Sequence, residues 1–304
     1  MRVALVTSLE RGGPVEHALL LAEGLASRGA EVRAVAASSE LASRYEAAGA
    51  RAAELPLRRS LDLAGARRVR RFVAGADVVH AHDRRSGLWV RLGPRPSRGG
   101  ARVYTAHGLP EPYLPQPVGP PRPGTRAFLA YRCLDAALCR RADAIVVPSG
   151  AAKAELARRV GYPAERMTVI HNGVPVPAEP LSPGQLVGSI AMLEPVKGLD
   201  VFLRAAARVA ESRPTLGFAL FGSGSQEQRL RDLAAALGLS ERVQFGGYAT
   251  WGEALARLRI FVSSSWMETF GLSLAEAMAA GVPAVATRVG GVAELADDES
   301  AQLV

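Results

Sequence analysis

Apolar positions along this chain fall into two alternating patterns: short continuous runs and amphipathic stretches of helical period. A continuous run of strand length fits a strand covered on both faces. Residues 2–7 form the first such run. Gly12-Gly13-Pro14 follows, then Val15, Leu19, Ala22, Leu25 and Ala26 at helical spacing, stopped by Gly29. Residues 31–36 predict a second strand, and residues 77–80, 101–106, 143–147 and 167–170 predict later ones. Helices are expected over residues 60–74, 125–140 and 149–160. The proline-crowded stretch from 109 to 124 fits neither a helix nor a central strand, so it reads as a surface excursion.

A second proline-rich stretch, residues 174–183, reads as a linker. The alternation then restarts. Strands are predicted over residues 186–193, 216–221, 243–245, 260–263 and 283–286, with helices over 199–210, 226–237 and 272–280. Strand–helix alternation of this kind predicts an α/β fold with parallel sheets. The chain therefore divides into two doubly wound halves, residues 1–177 and residues 178–304. Such sheets bind ligands outside the carboxyl ends of their strands. A cleft between the halves is the expected site.

Composition narrows the class. A chain of 304 residues is long enough for about two domains of ordinary size. With 48% hydrophobic and 22% charged residues it is neither disordered nor fibrous. No apolar run approaches the ~18 residues of a membrane span, and no signal-peptide pattern opens the chain, so a cytoplasmic protein is expected. Cys133 and Cys139, six residues apart on a predicted helix, point to different faces and read as reduced and inert. The net charge of +8 comes almost wholly from arginine. That points to an anionic membrane or a phosphorylated small molecule. At 6% aromatic residues the chain is poor in base-stacking side chains, so nucleic acid is not an expected partner.

Candidate chemistry clusters at strand-to-helix loops. Glu268-Thr-Phe-Gly-Leu-Ser-Leu-Ala-Glu276 follows one predicted strand and opens a helix. Gly271 allows a backbone to approach a ligand, and the first helical turn offers free N–H groups and a positive dipole end to a phosphate. Glu276, about one turn inside, accepts hydrogen bonds only, which suits sugar or ribose hydroxyls. For two isolated glutamates a solvated surface position is the ordinary expectation, and it is the surrounding loops that favour a site. Lys197-Gly198 places a cation after another strand, and Gly222-Ser-Gly224 occupies the next such loop. Gly12-Gly13, His107-Gly108 and Asn172-Gly173 sit in comparable loops of the first half.

These motifs resemble, in order and across essentially the whole chain, the large retaining glycosyltransferase family of the GT-B fold. That family (family 4, group 1) has two Rossmann-like domains and includes sucrose, trehalose-phosphate and phosphatidylinositol mannosyl transferases. The matching residues are Gly12-Gly13, Asp77-Val-Val-His-Ala-His82, Tyr104-Thr-Ala-His107-Gly, Arg141-Ala-Asp143 with Pro148-Ser149, and Val169-Ile-His-Asn172-Gly-Val174. They continue with Leu193 and Lys197-Gly, Phe221-Gly-Ser-Gly224, Val243-Gln-Phe-Gly-Gly-Tyr248, and the Glu268-x7-Glu276 element that holds Phe270-Gly271-Leu272. The resemblance implies a nucleotide-diphosphate sugar as donor substrate, no resident cofactor, and a sugar, lipid or glycan acceptor. By the same resemblance Lys197 binds the donor diphosphate and Glu276 the ribose. The Phe270–Leu272 amides and the Gly222 loop hold phosphate. Glu268 contacts the transferred sugar, His107 lines the acceptor side, and Gly12 and Gly13 approach the donor. Two departures stand out. Met192 replaces an arginine that usually precedes the leucine of the Arg-Leu…Lys-Gly motif, and the second domain reads as truncated at Val304.

No Asp-x-Asp occurs in the chain, so no metal site is expected at the donor. His80-x-His82 is a possible ligand pair. Taking alternate residues at a strand end to face opposite ways, a structural or cleft-lining role is expected instead. Asp297, Asp298 and Glu299 read as a solvated loop. Arg67-Arg68-Val-Arg70-Arg71 predicts a basic helix whose face is solvated or docks on an anionic membrane, at its cytoplasmic side. The alternatives to an active transferase are a non-catalytic homologue that binds sugar nucleotides or glycans, and a nucleotide-sugar epimerase, which the glutamate spacing disfavours.

Overall fold

The computed structural model describes residues 1–59, 62–109 and 125–304, with the side chains of residues 125–127 and 131 outside the description. The proline-rich excursion expected over 109–124 lies almost wholly outside the described residues, as do Ser60 and Leu61 of the predicted basic helix. The chain forms two compact units, the first ending at Gly173 and the second running from Val174 to Val304.

The first unit runs β1 (Arg2–Val6), α1 (Gly13–Ala26), β2 (Glu31–Ala36), α2 (Ser39–Ala47), β3 (Arg51–Glu54), α3 (Leu63–Val73), β4 (Val78–Ala81), α4 (Arg84–Leu92), β5 (Ala101–Thr105), α5 (Thr125–Cys139), β6 (Ala144–Val147), α6 (Gly150–Glu155) and β7 (Met167–Val169). Among the described residues its seven strands are all parallel, in the order β3-β2-β1-β4-β5-β6-β7. The second unit runs β8 (Leu186–Ile190), α7 (Leu199–Ser212), β9 (Gly217–Phe221), α8 (Glu227–Ala236), β10 (Val243–Gly247), α9 (Trp251–Leu255), β11 (Leu258–Ser263), α10 (Leu272–Ala279), β12 (Ala284–Ala286), α11 (Val292–Leu295) and β13 (Gln302–Leu303). Its six strands are parallel too, in the order β10-β9-β8-β11-β12-β13. Both units are Rossmann-like. In each, the first strand lies inside the sheet, and the winding reverses between it and a later neighbour, β4 in one unit and β11 in the other. Such a reversal opens a crevice at the carboxyl ends of the two strands.

The period-2 geometry of the strands builds two cores per sheet. In β1, Val3 and Leu5 pack with Val15, Ala18, Leu41 and Tyr45 of α1 and α2. Ala4 and Val6 pack on the other side with Val69 and Val73 of α3 and Val90 of α4. In β9, Phe218 and Leu220 meet Phe202, Leu203 and Leu230 of α7 and α8. Ala219 and Phe221 meet Leu255 of α9 and Leu274 and Ala277 of α10. Burial on both faces is why the strands read as unbroken apolar runs.

The helices begin where the chemistry of their caps puts them. Ser38, Asp62 and Ser149 each accept a backbone N–H of the first turn of α2, α3 and α6. Asp83 and Thr250 form reciprocal capping boxes on α4 and α9. The helix expected over 149–160 changes character after Glu155. Leu156–Val160 is a π-helical turn that ends at Gly161, whose φ is 86°. Helix α2 and strand β3 have no counterpart in the sequence reading, and neither does α4. Their apolar faces are narrow: α2 buries Leu41 and Tyr45 alone, and α4 opens on Arg84 and Arg85. The arginine surplus is not all at the surface either. Arg91 of α4 is fully buried, its guanidinium 4.2 Å from the centre of the Tyr104 ring. Among the described residues no helix is long and apolar enough to cross a membrane. Cys133 is exposed and Cys139 buried, both unbridged.

Candidate active site

The second unit brings four loops together at the carboxyl ends of its strands, and it does so by backbone contact. Gly198, after β8, has φ 57°, and a Cβ there would stand 2.1 Å from the Ser264 carbonyl oxygen after β11. Gly290, after β12, has φ 51° and the same intolerance, 1.9 Å from the Glu268 carbonyl oxygen. At Gly222, after β9, a Cβ would lie 1.9 Å from the Ala191 oxygen. Residues with a Cβ at these points would hold the loops apart. The loops are also tied by side chains. Ser264 Oγ donates to the Gly198 oxygen at 2.9 Å, and the Ser225 amide and hydroxyl donate to the Glu194 carboxylate at 2.8 and 2.6 Å.

Within this frame Lys197 Nζ lies 2.6 Å from Glu268 Oε1. The first follows β8 and the second follows β11, the two strands that flank the reversal of winding. Ser265 Oγ donates to the same carboxylate oxygen at 2.8 Å, and Thr287 Oγ1 donates to the Ser265 carbonyl at 2.6 Å. The Lys197 and Glu268 side chains are 23% and 14% exposed, so the pair is shielded yet reachable from solvent. Gly271 caps the N-terminus of α10 in a left-handed conformation, φ 94°, with Leu272 as the first helical residue. Phe270 is buried beside it. Glu276, one turn into α10, is 6% exposed. The ordinary expectation of a solvated glutamate does not hold for it, because α10 packs this part of its surface inward with Leu274, Ala275 and Ala277.

Met192 lies two residues past the end of β8 and is 54% exposed. The sequence reading extended this strand to residue 193; β8 stops at Ile190, so Met192 belongs to a loop. Two arginines that could stand in for a missing cation are engaged elsewhere. Arg288 pairs with Asp298 at 2.8 Å, and Arg11 with Glu40 at 3.7 Å.

In the first unit, Gly12 precedes α1 with φ 106°, and Gly13 is the first residue of the helix. Asp83 ties the loop after β1 to the loop after β4, accepting the Ser8 amide and hydroxyl, each at 2.6 Å. His107, just past β5, meets His82 and His17 there. His82 Nδ1 is 3.4 Å from His107 Nε2, and the His17 and His107 ring centroids are 4.9 Å apart. The expectation that His80 and His82 face opposite ways is wrong, since residues two apart on a strand share a face. Their ring centroids lie 4.1 Å apart. Burial holds all four rings below the usual imidazole range, His80 at about 3.

Sequence reasoning missed Ser264, Ser265, Glu194, Asp83 and His17. Position alone could have flagged the serine pair, which directly follows a predicted strand. His17 carries no local signal, because its neighbours come from β4 and β5.

The comparisons with known proteins agree with this architecture. Residues 11–176 match the family model described as Glycosyltransferase Family 4, and residues 179–304 match Glycosyl transferases group 1. A D-inositol 3-phosphate glycosyltransferase of Mycolicibacterium smegmatis is 29% identical over 252 residues, covering 75% of this chain and 56% of the relative. An exopolysaccharide phosphotransferase of Streptomyces coelicolor is 37% identical over 149 residues, covering 47% of this chain and 16% of the relative. The chain thus spans less than two thirds of these relatives. Among solved structures, Anabaena HepE in complex with UDP-glucose superposes with a TM-score of 0.81 at 21% identity, over 100% of this chain and 85% of that one. Sucrose-phosphate synthase from Thermosynechococcus elongatus gives 0.78 at 21% identity, over 100% and 85%. Both likenesses concern the fold, which is GT-B. With the two family models between them accounting for nearly every residue, the chain belongs to the Family 4, group 1 glycosyltransferases.

Proposed function

We propose that this chain transfers a hexose from a nucleotide-diphosphate sugar to a sugar, lipid or glycan acceptor, with retention at the anomeric carbon and no metal ion at the diphosphate. The observation that carries this reading is the Lys197–Glu268 pair at the carboxyl ends of β8 and β11, in the same unit as the Gly271-capped start of α10. In such a transfer the growing negative charge is on the leaving phosphate. A fixed ammonium group and free helix amides stabilise that charge as it develops, with no reorganisation needed. Glu276 accepts from ribose hydroxyls, and Glu268, released from Lys197 as phosphate arrives, accepts from the sugar. The roles of His107 toward the acceptor and of Gly12, Gly13 and Gly222 toward the donor come from the family resemblance. Retention is read from the same source.

UDP-glucose is the first donor to try, because the HepE neighbour was solved with UDP-glucose and with UDP. Sugar release or transfer should be followed across a panel of nucleotide sugars. In a chain that turns over, Lys197→Ala and Glu276→Ala should each lower the rate by about 100-fold or more, the scale for losing a transition-state contact. Activity should persist in EDTA. Full activity in both variants would sink the site, and loss in EDTA reversed by Mg²⁺ or Mn²⁺ would sink the metal-free diphosphate. Exposed Met192, where a cation is expected, favours one second reading: a homologue that binds sugar nucleotides without turnover. Donor affinity with no release in any panel member would select it.

A further inference from the structure

We propose that His17, His82 and His107 form a site in the first unit for a divalent transition metal of zinc type. Each ring offers one nitrogen, and the three lie within 4.8 Å of one another. They arrive from separate elements: His17 from α1, His82 from just past β4 and His107 from just past β5. In a tetrahedral zinc centre with bonds of 2.0–2.1 Å, two ligand nitrogens stand about 3.3 Å apart. The His82 Nδ1 to His107 Nε2 distance is already 3.4 Å. The His17 nitrogen lies within 4.8 Å of both and would move inward to close the set.

His82 is fully buried, and the nitrogen it turns toward His107 is Nδ1. Two neutral imidazoles share at most one hydrogen bond at such a contact, whereas an ion would take a lone pair from each ring. His80 acts as a support. Its ring lies against His82, and its Nε2 is 2.7 Å from Thr105 Oγ1, which fixes the ring's orientation. An all-imidazole donor set selects zinc, cobalt, nickel or copper over magnesium and calcium. Three protein ligands leave the fourth position for water or an incoming oxygen ligand. The inference does not rest on sugar transfer, and it places no metal at the donor diphosphate.

The test uses the untagged full chain, stripped of metal and titrated with Co²⁺, whose tetrahedral complexes absorb in the visible. One equivalent should bind with a visible band, and Zn²⁺ should displace it. His17→Gln, at the least buried of the three positions, should weaken binding by roughly tenfold or more, since even outer-shell partners are worth 10–100-fold. His171→Gln, remote from the cluster in sequence and exposed, should leave binding unchanged. Circular dichroism checks that each variant is folded. Absence of the band, or equal affinity in folded His17→Gln and the parent, would overturn the proposal.

Discussion

Lys197 and Glu268 lie 71 residues apart in the chain and 2.6 Å apart in the fold, part-shielded from water. An exposed ion pair would contribute little; this one holds two groups in a fixed relation, and on the proposed function a diphosphate competes for the cation. Met192, five residues before Lys197, tests whether the site is short of positive charge. Met192→Arg adds a guanidinium able to make a bidentate pair with phosphate. Donor affinity measured by calorimetry should rise tenfold or more, equivalent to about 1.4 kcal/mol. No change would mean that this loop position does not address the phosphates. Glycine turns and charged residues just past apolar runs were legible as candidates, because a strand end announces a loop. Ser265, which donates to Glu268, was not, since serine in a loop is ordinary. The histidine cluster was hidden by a wrong facing rule for His80 and His82, and by His17 belonging to another element.

At the scale of elements, the strands were the most legible part. Two-sided burial leaves Val3 to Val6 and Phe218 to Phe221 without polar interruption. Helices α2 and α4 escaped notice because each covers little core and depends on its cap. Side chains at the amino ends of strands also join elements. Asp143, before β6, accepts the Arg102 amide of β5 at 2.8 Å and the Arg95 guanidinium at 2.6 Å. Partial burial pushes its carboxyl up, but the Arg102 amide and the Arg95 guanidinium outweigh that and hold it below the usual range. A depressed folded pKa means stability that is present above the unfolded value of about 3.9 and lost as pH falls through the folded one. Asp143→Asn should therefore cost about 1–2 kcal/mol at pH 7, toward the low end for charged hydrogen bonds given the half-exposed Arg95. In urea unfolding the gap between parent and variant should be full at pH 7 and narrow as pH falls below the unfolded value of about 3.9. A gap of equal size across that range would show that charge is not its origin.

For the whole molecule, the positive charge is the property with the widest reach. Arg67, Arg68, Arg70 and Arg71 are exposed on α3, and Leu63 at its start is 63% exposed. Basic residues near an anionic lipid surface contribute about 1 kcal/mol each. The chain should float with vesicles containing anionic lipid and not with neutral ones, and high salt should release it. Replacing the four arginines with alanine should abolish flotation. Equal partitioning of parent and variant would leave α3 as a solvated face.

The loops of the second unit meet main chain to main chain, at Gly198 against Ser264, Gly222 against Ala191 and Gly290 against Glu268. Relative placement of the four loops is therefore encoded by the absence of side chains at a few points rather than by complementary packing. Such a frame lets neighbouring positions drift during evolution without moving the loops. Specificity can then change by swapping loop side chains while the scaffold beneath them stays still. The same economy makes the frame brittle, because a single methyl group at one of these crossings displaces two loops at once.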